Sequence, residues 1–152
     1  MHELDDVDRN ILTELQRDGR LSVQALADRV SVGRATAYAR VRRLESSGVI
    51  TGYRAIVDPA AVGLDLVALV LLTVKQDTFK TLPEKLATVT GVEWIGMTTA
   101  AYDFALLVRA RDTSHLRDVV LGELQSIPDV LSSQTIMVLD EPPVPPRRYP
   151  GT

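Results

Sequence analysis

Cysteine is absent from this 152-residue sequence, and histidine occurs only as His2 and His115. Without thiols the chain has no disulfide framework and no thiolate metal site, and two histidines so far apart in sequence do not suggest zinc binding. The N-terminus lacks the basic and apolar regions of a signal peptide. The longest apolar run, residues 66–72, is far shorter than the roughly 18 residues that a membrane span needs. We therefore expect a cytoplasmic protein without metal or cofactor.

Lysine is absent from the first 58 residues, although nine arginines lie there. The whole chain is acidic, with 17 basic residues, 20 acidic residues and a sequence pI of about 5.4. Residues 29–54 nevertheless contain six arginines and one acid, Glu45, which gives this stretch a net charge of about +5. Salt screens distant charges beyond a Debye length of roughly 8 Å. The acidic pI therefore does not exclude nucleic-acid binding.

Three helices are predicted before residue 48. Apolar residues at helical spacing follow Asp5, Ser22 and Gly33, each of which is a suitable N-cap. Gly48 stands at the usual glycine position just past the end of the third helix. The second and third helices are joined by a turn of about three residues, as in a helix-turn-helix. This pattern predicts a small helical domain.

The rest of the chain predicts an α+β protein with a second domain. Residues 49–58 alternate in polarity and predict short strands, completing a winged helix-turn-helix domain over 1–58, with a linker at 59–64. Residues 65–140 have the order β-α-β-β-α-β of a ferredoxin-like fold, in which helices cover one face of a four-stranded sheet. The other face needs a partner. Residues 141–152 contain five prolines and predict an extended or disordered tail.

The third helix has the composition of a helix that enters a DNA groove. Its small residues allow close approach to a major groove about 12 Å wide, where arginine bonds guanine or phosphate. The alternative is a solvated amphipathic helix, but such a helix normally includes glutamate for i,i+4 pairs, and only Glu45 is present. The residues predicted to contact DNA are Arg34, Ala35, Tyr38, Ala39, Arg40, Arg42 and Arg43.

Two arginines need separate interpretation. Arg40 lies beside the predicted packed face formed by Ala37, Val41 and Leu44. We therefore expect Arg40 to order the helices or to reach the DNA backbone rather than to contact bases. Arg54, in the predicted strands, has two interpretations: a phosphate contact from a wing, or an ordinary exposed arginine.

These segments resemble the Lrp/AsnC (feast/famine) family of bacterial transcriptional regulators. The similarity spans about residues 4–140, and its strongest elements are the LDDVD opening, RVRRLE, SGVITGY and AYDFALLV. The resemblance implies that the first domain binds DNA and that the second pairs subunits through the uncovered sheet face. It also implies that dimers assemble into octamers or other even-numbered oligomers, with an amino-acid effector bound between dimers.

The same resemblance implies an effector site in the loop TTAAYDF and on the last strand. Family members usually have glycine where Ala100 stands, and glycine permits positive φ and close approach of a ligand. The alternative is a tight loop in which Asp103 bonds its own backbone and Tyr102 packs at a subunit junction. We expect Trp94 to pack in the core or in an interface. The candidate effector-binding residues are Thr98, Thr99, Ala100, Tyr102, Asp103, Ser133 and Gln134.

Enzymatic activity is not expected. Acylphosphatase-type catalysis on a ferredoxin-like sheet would require an arginine and an asparagine, and the only asparagine, Asn10, lies in the first helix. Two functions compete: a sequence-specific regulator modulated by a small molecule, and a ligand-independent architectural DNA-binding protein. A regulator should prefer its site over random DNA by roughly 10³ or more, whereas an architectural protein should discriminate little.

Overall fold

The computed structural model describes residues 4–99 and 101–142, which divide into two compact units between Ile56 and Val57. The first unit contains α1 (Asp6–Arg17), α2 (Val23–Arg29) and α3 (Arg34–Ser46). The second contains β1 (Leu66–Val74), α4 (Leu82–Ala87), β2 (Val92–Met97), β3 (Phe104–Ala110), α5 (Thr113–Arg117) and β4 (Val130–Val138). The predicted βαββαβ order of the second domain is confirmed. The Pro-rich tail lies outside the described residues from position 143 onward.

The helix ends are those predicted from local sequence. The side chains of Asp5 and Ser22 accept hydrogen bonds from the amides of Asp8 and Ala25. Gly33 precedes α3 without a side-chain cap, a difference that costs only about a few tenths of a kcal/mol. Gly48 follows α3 with a φ of 74°, in the left-handed region that glycine enters without strain. The three helices therefore begin and end through local chemistry.

The core of the first unit forms where the apolar stripes of the three helices meet. Ile11, Leu12, Leu26 and Leu44 are buried together, and partly buried aliphatic side chains surround them. Ala37 on α3 is fully buried. This arrangement leaves the opposite side of α3 in solvent, as the sequence predicted for a groove-binding helix.

Residues 49–58 do not form the predicted strands. No part of this segment pairs with a strand in the described chain, and Ile56 is 92% exposed. Tyr53 instead donates a hydrogen bond to Glu45 of α3 at 3.1 Å, and burial together with this bond raises the pKa of Tyr53. An isolated two-stranded hairpin is marginal in water unless a further element packs on it. The alternation of polarity therefore did not produce paired strands here.

The second unit is an antiparallel sheet in the order β2-β3-β1-β4. Alternate residues of β1 and β3, including Val70, Leu72, Phe104 and Leu106, pack with the helices into one core. The second helix of the predicted βαββαβ order is formed by α5 and by a π-helical segment at Asp118–Leu124. This segment also contributes to that core. The buried apolar residues of this second helix are Leu116, Val119, Val120 and Leu124.

Among the described residues, no helix packs on the other face of the sheet. It carries aliphatic side chains of β1 together with Leu107 and Ile136, whose positions follow from the strand register. Trp94 lies on this face and is 54% exposed. A Cβ at position 96 would overlap the Trp94 indole, so the ring lies directly over Gly96. Trp94 is therefore not a core residue of this chain.

A charged cluster crosses the uncovered face. Arg109 of β3 contacts Glu93 at 2.8 Å and Glu141, beyond β4, at 2.8 Å. Its side chain is 13% exposed. Burial opposes the charge of Arg109, but the hydrogen bonds that Arg109 donates to both glutamates outweigh that effect and raise its pKa. The cluster therefore links β3 to β2 and to the segment that follows β4.

Candidate functional site

The outward surface of α3 is built from small and basic residues. Arg34, Ala35, Tyr38, Ala39 and Arg42 are exposed. An open depression of about 440 Å³ lies on the helix, lined by Ala35, Thr36, Ala39, Arg40 and Arg43. Such a surface brings the helix backbone close to a convex double helix while arginines flank it. The geometry is suited to major-groove docking.

Arg40 and Arg43 are held by carboxylates of α1 rather than pointing freely to solvent. Arg40 Nη1 bonds Asp5 Oδ2, and it also lies 3.1 Å from Asp8 Oδ1. Arg43 Nη2 lies 2.5 Å from Asp8 Oδ2. The side chain of Asp8 is only 1% exposed. Two arginines of α3 therefore share one buried carboxylate of α1.

The same carboxylates form the cap of α1. Asp5 Oδ1 accepts from the Asp8 amide at 2.9 Å, and Asp8 Oδ2 accepts from the Asp5 amide at 3.3 Å. This reciprocal pair is a capping box. The hydrogen bond that Arg40 donates to Asp5 lowers the pKa of Asp5 to about 2. The hydrogen bonds that Arg40 donates to Asp5 and Asp8 raise the pKa of Arg40. One cluster thus caps α1 and ties it to α3.

The position of Arg43 differs from the sequence expectation. The helical wheel placed Arg43 beside Arg42 on the outward face, yet its guanidinium pairs with Asp8 while its side chain is 42% exposed. The reason is energetic: a buried carboxylate without a cation costs several kcal/mol, so a long neighbouring arginine is drawn to it. Arg40 makes the helix-bracing contact that its wheel position suggested. Arg42, at 69% exposure, is left on the outward surface with one distant partner, Glu45, at 3.9 Å.

The structure brings four of the candidate effector residues together at the β2–β3 connection. The Tyr102 hydroxyl donates to Gln134 Oε1 on β4, and Thr98 Oγ1 donates to the Tyr102 carbonyl. The Thr98 amide bonds the Asp103 carbonyl at 2.9 Å. Tyr102 therefore joins the connection to the far edge strand. Thr99 is exposed beside it, and Ala100 lies outside the described residues.

Asp103 and Ser133 are engaged in internal contacts. Asp103 Oδ2 accepts from the Val74 amide at 2.8 Å, where the pairing of β1 with β4 is irregular. This is a backbone bond, as in the tight-loop alternative, but to β1 rather than to the loop itself. Ser133 accepts from Gln125 at 2.8 Å, and the register places it on the opposite face of β4 from Gln134. The structure therefore does not bring Ser133 into the Tyr102 group.

Residues 4–99 and 101–142 contain no group of three or more histidine, cysteine, aspartate or glutamate residues suited to a metal ion. Within those same ranges, no helix is long and apolar enough to cross a membrane.

Comparison with known proteins agrees with this two-part architecture. A winged helix-turn-helix DNA-binding model matches residues 4–51, and the Lrp/AsnC ligand binding domain matches residues 67–145. The chain belongs to the Lrp/AsnC family. It is a DNA-binding transcriptional regulator with the ligand-binding domain of that family.

Named relatives of this Lrp/AsnC regulator match over most of its length. It is 36% identical over 141 residues to the regulator AldR of Mycolicibacterium smegmatis, covering 91% of this chain and 82% of AldR. It is 35% identical to the leucine-responsive regulatory protein of Rhizobium meliloti, covering 90% of each chain. These relatives are regulators rather than enzymes.

Solved structures of the family have the same fold. A Neisseria meningitidis transcriptional regulator in complex with L-Met matches with a TM-score of 0.90 and 27% identity, covering 97% of both chains. Escherichia coli AsnC matches with a TM-score of 0.87 and 27% identity, covering 97% of this chain and 100% of AsnC.

The acidic partner of the α3 arginines in this Lrp/AsnC regulator was not predicted from the sequence. Asp5 was recognised only as an N-cap, and Asp8 was not singled out. The spacing of three residues between them is a visible sign of a capping box. Nothing local in the sequence connects Asp8 with Arg43, which lies 35 residues away.

Proposed function

We propose that α3 is the recognition helix and that Arg34 and Arg42, with Ala35, Tyr38 and Ala39, form its DNA-contacting face. The observation that carries this proposal is the exposed surface of small residues flanked by arginines on α3, opposite a helix side that is buried in the domain core. Arg40 and Arg43 stand at the edge of this face and hold α3 to α1. Two such helices in a dimer would enter successive major grooves of a pseudo-palindromic site.

We also propose that two copies pair through the uncovered sheet face and that dimers assemble further. The exposed Trp94 and Ile136 support this, because an apolar sheet face is stabilised when another surface covers it. The protein would then act in the cytoplasm, where its DNA target lies.

The effector is proposed to be an amino acid bound near Tyr102 and Gln134. The support comes from the family's ligand-binding domain and from the relative in complex with L-Met. The exposed hydroxyl and amide groups of Thr98, Tyr102 and Gln134 are chemically suited to the polar ends of an amino acid. Binding would require the hydrogen bond between Tyr102 and Gln134 to break, or one of these two side chains to form a second hydrogen bond with the ligand.

A mobility-shift titration tests these proposals. The full-length protein is titrated onto the upstream region of its own gene and onto random DNA of equal length, each with a panel of amino acids. We expect roughly 10³-fold preference or more for a specific site, and a change in that affinity with one amino acid. Equal affinity for all DNA would favour the architectural alternative. A specific shift that no amino acid alters would refute the effector proposal while leaving the DNA-binding proposal intact.

A further inference from the structure

We propose that Asp8 is a specificity-determining positioning residue, which withholds Arg40 and Arg43 from DNA phosphates and so limits binding to non-specific DNA. The inference rests on the proposed role of α3 as the recognition helix. Its basis is that one buried carboxylate binds two of the four arginines of that helix.

The location of the two arginines makes this pairing relevant to DNA. Arg40 and Arg43 line the same depression as Ala35 and Ala39, at the edge of the proposed DNA face. Their side chains are 25% and 42% exposed, and a guanidinium nitrogen of each contacts Asp8 of α1. A DNA phosphate near this depression would meet two arginines whose guanidinium groups are already bonded to Asp8.

The chemistry of Asp8 makes the withholding effective. Asp8 is 1% exposed and uses both oxygens for arginine, with Oδ2 also accepting the Asp5 amide. A buried carboxylate is poorly hydrated, so it would be left uncompensated if its arginines left for phosphate. Phosphate must therefore compete with a fixed internal anion. An arginine held in this way adds little to the sequence-independent part of binding.

The consequence concerns specificity rather than affinity alone. Phosphate contacts strengthen binding to every sequence, whereas base contacts distinguish sequences. Asp8 reduces the number of mobile cations on the face. Arg34 and Arg42 are the α3 arginines that Asp8 does not bind, and Arg42 has only a 3.9 Å contact with Glu45. The ratio of specific to non-specific affinity is thereby kept high.

The test is Asp8→Asn in the full-length protein. Binding is measured by fluorescence anisotropy between about 50 and 200 mM salt, a range over which phosphate contacts make affinity depend strongly on salt. The DNA probes are a preferred site selected from a random pool and a scrambled duplex of equal length. Asparagine keeps the size of the side chain and its ability to accept the Asp5 amide. We expect tighter binding to the scrambled duplex. The slope of log affinity against log salt should steepen by about 0.9 for each arginine that gains a phosphate.

Asp6→Asn is the matched control. It removes the same charge from the same turn of α1, and Asp6 is exposed and forms no ion pair in the described residues. We expect Asp8→Asn to gain more affinity for the scrambled duplex than Asp6→Asn does. Its slope of log affinity against log salt should also steepen more. Equal effects would assign the change to general charge and overturn the proposal. In Asp8→Asn/Arg43→Gln the added slope should be smaller by about 0.9 than in Asp8→Asn, because one of the two released cations is absent.

If Asp8 has only a structural role, the change in DNA affinity on Asp8→Asn should have the opposite sign. If α3 only loses its brace, Asp8→Asn weakens binding to both duplexes without steepening the slope, and that result overturns the proposal. If Asp8→Asn does not fold, as checked by circular dichroism, Asp5→Asn provides the test, since Asp5 is exposed and shares Arg40. It should produce a smaller change in the same direction, and unchanged or weaker binding to scrambled DNA would refute the proposal.

Arg42→Ala separates this inference from the proposed function. If Arg42→Ala binds both duplexes like the wild type, the assignment of α3 as the recognition helix fails. If Arg42→Ala weakens binding while Asp8→Asn leaves the salt slope unchanged, α3 contacts DNA and only the role of Asp8 is wrong.

Discussion

Replacing Arg42 by alanine should impair DNA binding without impairing the fold. The Arg42 side chain is 69% exposed, and its ion pair with Glu45 spans 3.9 Å. An exposed pair of this length contributes little, so the free energy of unfolding should change by less than about 0.5 kcal/mol. A bidentate arginine contact with a base is worth about 1–3 kcal/mol of discrimination. We therefore expect affinity for the preferred site to fall about fivefold to 150-fold.

The assay pairs anisotropy titrations with thermal unfolding of the same samples. If Arg42 contacts a base, the loss is confined to the preferred site and the preference relaxes at one position. If it contacts only phosphate, the loss is equal on random DNA and the salt slope falls by about 1. Arg17→Ala is the control, because Arg17 is also 53% exposed and paired within its own helix. Wild-type affinity of Arg42→Ala on both DNAs would refute the groove assignment.

Three further predictions concern stability and assembly. Leu44→Ala should lower the free energy of unfolding by about 2–5 kcal/mol, since Leu44 is 1% exposed in the small first core; a loss below about 1 kcal/mol in a denaturant titration would contradict that packing. Asp5 has a pKa of about 2 against a usual 3.8, so its ion pair with Arg40 stabilises the fold above pH 3.8 and is lost as the pH falls towards 2. The melting temperature of wild type should therefore fall more steeply than that of Asp5→Asn across this range, and parallel curves would argue against the pair. Trp94, the single tryptophan, is 54% exposed in the isolated chain; its fluorescence should shift to shorter wavelength as dilute protein is concentrated into dimers, whereas an unchanged spectrum across a dimerisation seen by light scattering would exclude Trp94 from the interface.

Helix ends and the succession of helices and strands along the chain were predictable because their signals are local. The N-caps Asp5 and Ser22 act on amides three residues away, and Gly48 adopts its positive φ within a single turn. Alternating and helical apolar periods likewise identify the buried side of each element before any contact is known. The family resemblance added the expectation that the first domain binds DNA and that the second binds an effector.

Local alternation was misleading at residues 51–58. Polarity there has a period of two, but strands require a partner with which to share backbone hydrogen bonds, and the described chain supplies none. In the same way, the adjacent positions of Ser133 and Gln134 suggested one polar group. Consecutive residues of a strand face opposite sides, and the register of β4 against β1 places Ser133 on the face that packs against the helices.

The sequence by itself determined that α3 is basic, that one of its faces is apolar and that a second domain with one uncovered sheet face follows. Tertiary structure decided which arginines stay free. Arg42 and Arg43 are neighbours with identical chemistry, yet Asp8, 35 residues from Arg43, binds one and not the other. Burial made the difference: a carboxylate removed from water requires a cation, and the packing of α1 against α3 determines which arginines can reach it.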